Sequence, residues 1–218
     1  MIEKGRPWGR AARTGPDLEV SGDDADLAAA AAAAPGRLVQ FRPSVASDLG
    51  RAIGLGLESP DATEVAVDLL RVDTAAGSRL AVNAAVLGPP PHRLRAWHRA
   101  VDMVVEVDGR ERFAGRATTV VVANGQFLHG LDVVPRGHPG DGRVEVHVYA
   151  LRPGRRAAMR RRLPQGTHLP HPRIVQATGR HIVVRSRREL SLELDGHPLE
   201  TAREVTLEVS PAALRLLI

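Results

Sequence analysis

From Thr63 to the C-terminus the chain is a succession of short Val- and Leu-rich runs separated by turn residues, and two of the separators are Asp-Gly pairs, Asp108-Gly109 and Asp195-Gly196. An Asp-Gly pair between apolar-patterned runs is a strong hairpin signal, because the two central residues of the favoured tight turn both need positive φ. The runs are Glu64 to Val72, Arg79 to Val86, Val101 to Val107, Thr118 to Ala123, Arg143 to Leu151, His181 to Ser186, Leu190 to Leu194 and Glu204 to Val209. Strict alternation in Val144-Glu145-Val146-His147-Val148 and in Leu190-Ser191-Leu192-Glu193-Leu194 places one face of each strand on a core and the other in solvent. The pattern predicts an α+β, mainly β fold: an antiparallel β-sandwich or open barrel. One helix interrupts it, from Pro153 to Leu163, with proline at its start and Pro164 beyond its end.

The segment before Thr63 has a different texture. Asp23 and Asp24 stand ahead of an alanine run, Ala28 to Ala34, that Pro35-Gly36 stops. Carboxylates at a helix start cap free N–H groups and complement the dipole, so a helix is expected there. Arg37 to Phe41 reads as a buried strand, and Ser47 as the cap of a short helix, Asp48 to Ile53, ended by Gly54. The opening is therefore expected to run loop, helix, strand, loop, helix. The domain division predicted is 1–62 for a short α/β portion and 63–218 for the β-rich domain.

Composition narrows the chemistry. The 218 residues contain no cysteine, which removes disulfides, thiolate metal sites and a cysteine nucleophile. There is no apolar window of spanning length and no apolar run of signal-peptide length at the start, so a cytoplasmic protein is expected. The net charge of +5 suits an anionic partner. One lysine, Lys4, stands against 29 arginines, a bias that reads as genome composition before it reads as function.

The stretch Val122-Ala123-Asn124-Gly125-Gln126-Phe127-Leu128-His129-Gly130, then Pro135 and Gly140-Asp141-Gly142-Arg143, resembles the C-terminal half of bacterial diacylglycerol kinases and their sphingosine-kinase relatives. In that family an Asn-Gly is followed by glycines, a proline, then Asp-Asp-Gly and a strand. The Arg-rich helix, Gly166-Thr167-His168, and Leu194-Asp195-Gly196-His197 before a terminal strand follow in the family's order, so the resemblance runs through most of Ala66 to Ile218. The resemblance implies that Ser21-Gly22-Asp23-Asp24-Ala25 occupies the place of the family's Gly-Gly-Asp-Gly-Thr nucleotide loop, and Arg42 to Arg51 that of its Pro-x-Gly-Thr-x-Asn-Asp-x-Ala-Arg segment. It also implies that a strand-helix-strand part of the family's nucleotide domain is missing ahead of the loop.

From the resemblance follow ATP and Mg²⁺ as cofactors of an active enzyme, with Gly22, Asp23, Ser44, Asp48 and Arg51 at the nucleotide, Asn124, Gly125 and Gly130 in the substrate cleft, and Asp141 as the retained member of the metal pair, Gly140 standing for the other. The family's general base is the Glu of an Asp-Gly-Glu turn; Asp195-Gly196-His197 puts a histidine there, whose ordinary pKa suits proton abstraction. Against the family, Asp24 adds a carboxylate and Ala25 removes a hydroxyl where phosphates would sit.

Each feature also has a plain reading. Ser21 to Ala25 is an ordinary acidic helix start, Asp195-Gly196 an ordinary hairpin turn, and Asn124 to Gly130 a connection. His168 and His171 are spaced like a metal pair, but Pro170 opposes the helix that would align them. Arg155, Arg156, Arg160, Arg161 and Arg162 are either a solvated helix face or a membrane-facing one, where each charge contributes about 1 kcal/mol at an anionic surface.

Three classes of function stay open. One is an ATP-dependent lipid kinase with His197 as base. Another is a non-catalytic relative, binding lipid, an anionic membrane surface or a protein partner such as a complete kinase, or forming a homodimer through an open sheet edge. An Arg-rich nucleic-acid binder is least favoured, since three Phe, one Tyr and two Trp offer few stacking platforms.

Overall fold

The computed structural model describes residues 9–55 and 63–218. In the opening segment β1 (Arg10–Ala11) and β2 (Leu18–Gly22) precede α1 (Asp24–Ala33), β3 (Leu38–Pro43) and α2 (Asp48–Ile53). Both helices start as their sequence dictates. Asp23 forms a reciprocal capping box with Asp26, and the Ser47 hydroxyl accepts from the Gly50 N–H at 2.7 Å, while Gly54 ends α2 at φ 76°. The strand β2 was not foreseen: Leu18-Glu19-Val20-Ser21 alternates, but over only four residues, and parallel pairing with β3 makes it a strand.

Then follow β4 (Thr63–Thr74), β5 (Gly77–Ala81), β6 (Ala84–Leu87), β7 (Val101–Val107), β8 (Arg110–Ala117), β9 (Thr119–Ala123), the short pair β10 (Phe127–Leu128) and β11 (Leu131–Asp132), and β12 (Val144–Tyr149). After the helix α3 (Arg156–Arg162) come β13 (Ile174–Gly179), β14 (His181–Leu194) and β15 (His197–Leu217). The main sheet runs β1-β4-β15-β14-β6-β9-β12-β13, with β7 and β8 attached to the first half of β14 and β5 to β4. All of its pairs are antiparallel except β2–β3 and β3–β15. Asp108-Gly109 and Asp195-Gly196 form tight turns, each with both residues at positive φ.

Strand lengths differ from the sequence reading for identifiable reasons. The run Arg79 to Val86 is two strands, broken at Val82-Asn83, because the N–H groups there go to a side chain instead of a ladder. His181 to Ser186 and Leu190 to Leu194 are one strand, bent by a register shift between Arg185 and Leu190, so that its first half pairs with β7 and its second with β6. Glu204 to Val209 is the middle of a 21-residue strand. The expected helix from Pro153 is a seven-residue α-helix with 3₁₀ turns at both ends. β8 escapes a pattern search because most of its residues face solvent, and β13 because its six residues include Gln176, Thr178 and Gly179 among few large apolar ones.

The sandwich interior gathers Val105, Val122, Val146, Ile182, Leu192 and Leu207 from five strands. The outer face of β6, β9 and β12 is covered too, by Met159 of α3 with Leu94, Val133 and Leu163, which is why Thr119–Ala123 is buried along its whole length. A third core joins Leu27 and Ala31 of α1 and Leu49 of α2 to Val65 and Val67 of β4 and Leu214 and Leu216 of β15. The long strands β4 and β15 thus run through both the α/β portion and the sandwich, and the cleft forms where the two meet.

Candidate functional site

The cleft is built from three chain segments. In the first, β2 ends at Gly22, whose φ of 136° and closeness to Asp26, 2.0 Å from where a Cβ would stand, admit only glycine. Asp23 then accepts from the N–H groups of Ala25 (2.9 Å) and Asp26 (3.1 Å) at the start of α1. Asp24 turns the other way. Its carboxylate accepts from the Ser47 hydroxyl and from the N–H groups of Asp48 (3.1 Å) and Leu49 (3.0 Å) at the start of α2. Asp24 is buried, and burial raises its pKa, with the Asp48 charge adding and the bonds from Ser47 and Leu49 opposing. Ser44 lies beside the loop, its N–H donating to the Gly22 carbonyl at 2.9 Å.

The second segment is the turn between β14 and β15. The Asp195 carboxylate accepts from three consecutive N–H groups, those of Val82 (2.8 Å), Asn83 (2.9 Å) and Ala84 (2.9 Å), and so pins the β5–β6 break to the turn. Burial pushes its pKa up to about 7 despite these donors, and the Asp24 charge adds to the shift. Two residues on, His197 Nε2 lies 2.7 Å from Asp23 Oδ2. Asp23 loses some solvation, which works to raise its pKa, but the Asp26 N–H and the bond and charge of His197 outweigh that and hold it below the ordinary carboxylate value.

The third segment is Asn124 to Gly130. Asn124 is buried and ties strands together, its amide donating to the carbonyls of Asp68 (2.7 Å) and Val82 (3.0 Å). Gly125 packs against Asn83, whose Oδ1 is 2.4 Å from where a Cβ would stand. The β10–β11 tip docks on α2: the Gly130 N–H donates to Asp48 Oδ1 at 2.8 Å, Arg51 donates to the Gly130 carbonyl at 2.8 Å, and the Arg51 guanidinium lies 4.1 Å from the Phe127 ring centre.

Contacts therefore link Gly22 to Ser44, Asp23 to His197, and Asp48 and Arg51 to Gly130 where α1, α2 and the β14–β15 turn meet, while the cavity beside α1 is lined by Asp195 and His197 but by none of Gly22, Asp23, Ser44, Asp48, Arg51 or Gly130. Sequence reasoning missed His129, whose Nε2 lies 2.6 Å from the buried Glu193, and His92, whose ring centre is 4.4 Å from that of His129. Burial, His129 and Arg93 lower the His92 pKa to about 4, so it stays neutral. His129 itself sits at φ 50°, a left-handed conformation uncommon for a residue with a side chain, within the stretch Asn124 to Gly130 that the sequence marks.

Other candidates lie elsewhere. Asp141 is exposed and accepts from the Arg143 N–H at 3.0 Å; its neighbour Asp68 is buried and already accepts from Gly142 (2.6 Å) and Ala212 (2.7 Å). Among the described residues no cluster of three or more His, Asp or Glu side chains is arranged to hold a metal ion. His168 and His171 part company, His168 buried 3.5 Å from the Tyr149 hydroxyl and His171 accepting from the Arg173 N–H. The expectation for α3 needs correction at Arg156. This arginine is 2% exposed and donates to the carbonyls of Arg95 (2.8 Å), Ala96 (3.3 Å) and His98 (2.6 Å), because the loop before β7 carries carbonyls that no strand pairs. Arg160 is half-buried and donates to the Leu94 carbonyl, which leaves Arg155, Arg161 and Arg162 exposed. No helix among the described residues is long and apolar enough to cross a membrane.

No curated protein sequence matches this chain. The fold matches the crystal structure of a diacylglycerol kinase from Bacillus anthracis str. Sterne at a TM-score of 0.73, with 17% identity over 92% of this chain and 76% of that one. It also matches yeast NADH kinase complexed with NADH at a TM-score of 0.53, with 11% identity over 92% of this chain and 61% of that one. At such identities the likeness is one of fold. Residues 76–218 match the family model of the YegS C-terminal NAD kinase beta sandwich-like domain, and the chain belongs to that family.

Proposed function

We propose that this chain is a diacylglycerol-kinase-family protein with weak or no phosphoryl-transfer activity of its own, acting as a non-catalytic module toward a lipid surface or a protein partner. In this reading residues 1–62 are a reduced nucleotide-binding portion and 63–218 the working β domain of a cytoplasmic protein that reaches the membrane peripherally. One observation carries the reading. The donors that would hold a phosphate at the start of α2, namely Ser47 Oγ–H and the N–H groups of Asp48 and Leu49, are taken by the Asp24 carboxylate. An arriving polyanion must displace that carboxylate and face Asp23 and Asp195 as well, so the residues present do not fit ATP phosphates. Phosphoryl transfer draws its rate from positioning and charge stabilisation, both of which this arrangement opposes.

Calorimetric titration of the full chain with Mg²⁺-ATP tests the proposal. No saturable binding at millimolar nucleotide is the expected result; micromolar binding overturns it, as does turnover on diacylglycerol vesicles that is lost in His197→Ala. A lipid kinase is the second reading, and the His197–Asp23 hydrogen bond favours it, because a carboxylate that fixes an imidazole is the usual support for a general base.

A further inference from the structure

Most arginines on the strands have carboxylate partners. Arg71 pairs with Asp73 and Glu208, Arg185 with Glu106 and Glu204, Arg203 with Glu189, and Arg10 and Arg215 share Glu64. Among the described residues Arg79, Arg110 and Arg112 stand exposed without such a partner, and one place gathers several arginines of this kind around a concavity. Where β14 shifts register between Arg185 and Leu190, Arg187 and Arg188 stand beside Arg99 and Arg116 around a cavity of about 300 Å³. The single carboxylate there is Asp102, opposite Arg116 in the β7–β8 register and 4.0 Å from Arg187. Among the described residues Arg99, Arg116 and Arg188 have no carboxylate within ion-pair distance, and Arg116 donates only to the Ala100 carbonyl at 2.9 Å. Four guanidinium groups against one carboxylate in a concavity repel one another, and an oxyanion relieves that repulsion. Guanidinium forks match the edges of a phosphate, which a solvated lysine would not.

The cavity is also held ready. The Ser186 hydroxyl donates to the Arg188 carbonyl inside the bulge, and Arg156 clamps the carbonyls of Arg95, Ala96 and His98, fixing the loop that delivers Arg99. The same loop presents Trp97, which is 75% exposed. An exposed indole beside basic residues suits the headgroup level of a bilayer, where its apolar body and polar N–H are both accommodated. We infer that the cavity lined by Arg99, Arg116, Arg187 and Arg188 binds the phosphate of an anionic phospholipid, with Trp97 entering the interface beside it. None of these residues lies in the cleft, so the inference stands apart from the reading of nucleotide binding.

The test is flotation of the full chain with phosphatidylcholine vesicles, with and without about one-fifth phosphatidate, at physiological salt. Binding is expected only with phosphatidate, to weaken about tenfold in Arg187→Gln/Arg188→Gln, and to change less than about twofold in Arg110→Gln/Arg112→Gln, which removes equal charge from exposed β8 positions away from the cavity. In a Trp8→Phe background the fluorescence of Trp97 is expected to shift to the blue with these vesicles. Equal weakening in the two double variants overturns the site in favour of a diffuse field. Absence of a phosphatidate preference overturns it outright, and full competition by millimolar inorganic phosphate, with no fluorescence shift, reassigns the cavity to free phosphate compounds and overturns the lipid.

Discussion

At the meeting of β2, α1 and α2, Asp23, Asp24, Ser47 and His197 have found partners within the chain; at the bend of β14, four guanidinium groups face one carboxylate, which only Arg187 approaches within ion-pair distance. The two regions use the same kinds of residue to opposite ends. A carboxylate that fills helix N-termini and closes on a histidine adds rigidity and leaves little for a ligand to gain. Unpaired cations held in a fixed concavity store repulsion that a ligand can release. Family likeness directs attention to the first region, while the physical chemistry directs it to the second.

The sharpest way to break the first region is at Asp195. Asp195→Ala strips acceptors from the N–H groups of Val82, Asn83 and Ala84 together, and at about 1–3 kcal/mol for each stranded buried donor a loss of about 4 kcal/mol is expected in urea denaturation. The same residue gives a pH signature. Its folded pKa of about 7 exceeds the unfolded value, so the native state holds the proton more tightly. Its contribution is full below about pH 4 and is lost as pH rises to about 7. In Asp195→Asn that decline should vanish from the stability profile; an unchanged profile would show that Asp195 ionises normally in the folded chain.

Asp24→Ala comes next, at about 2 kcal/mol, since it uncaps α2 and frees the Ser47 hydroxyl. This variant also sharpens the comparison, because the donors it releases become available to an anion, and weak Mg²⁺-ATP binding absent from the parent is expected by calorimetry. His197→Ala should cost less than about 1 kcal/mol, because its side chain is 59% exposed and solvent screens the pair with Asp23.

How much of this was legible beforehand follows from how local each determinant is. Asp108-Gly109, Asp195-Gly196, the Ser47 cap and the Gly54 stop were readable, since a tight turn or a cap is decided within four or five residues. That Asp195 also serves three amides more than a hundred residues away, or that Asp23 and His197 meet across 174 positions, follows only from the register of β14 against its neighbours. The Arg156 burial is of the same kind: its helix reads as a basic solvated face until the loop before β7, some 60 residues earlier, brings carbonyls to it. His129 was visible but unused, because its partner Glu193 alternates correctly as an outward residue of a strand and only the second half of β14 turns it toward the cleft.

The smallest expected effect is the most telling. Arg187→Gln/Arg188→Gln removes two charges from a place where, apart from the 4.0 Å approach to Asp102, no ion pair is lost. Its effect on folding should therefore lie within about 0.5 kcal/mol of zero, with stabilisation at low salt where like-charge repulsion is least screened. Arg185→Gln, two positions earlier on the same strand, loses its bonds to Glu106 (2.7 Å) and Glu204 (3.1 Å), so it should lower the melting temperature where the double variant does not. A thermal scan at two salt concentrations separates them. Should the double variant melt lower than Arg185→Gln, the arginines of the bend would be structural, and the contrast between a self-satisfied cleft and an unsatisfied cavity would fail.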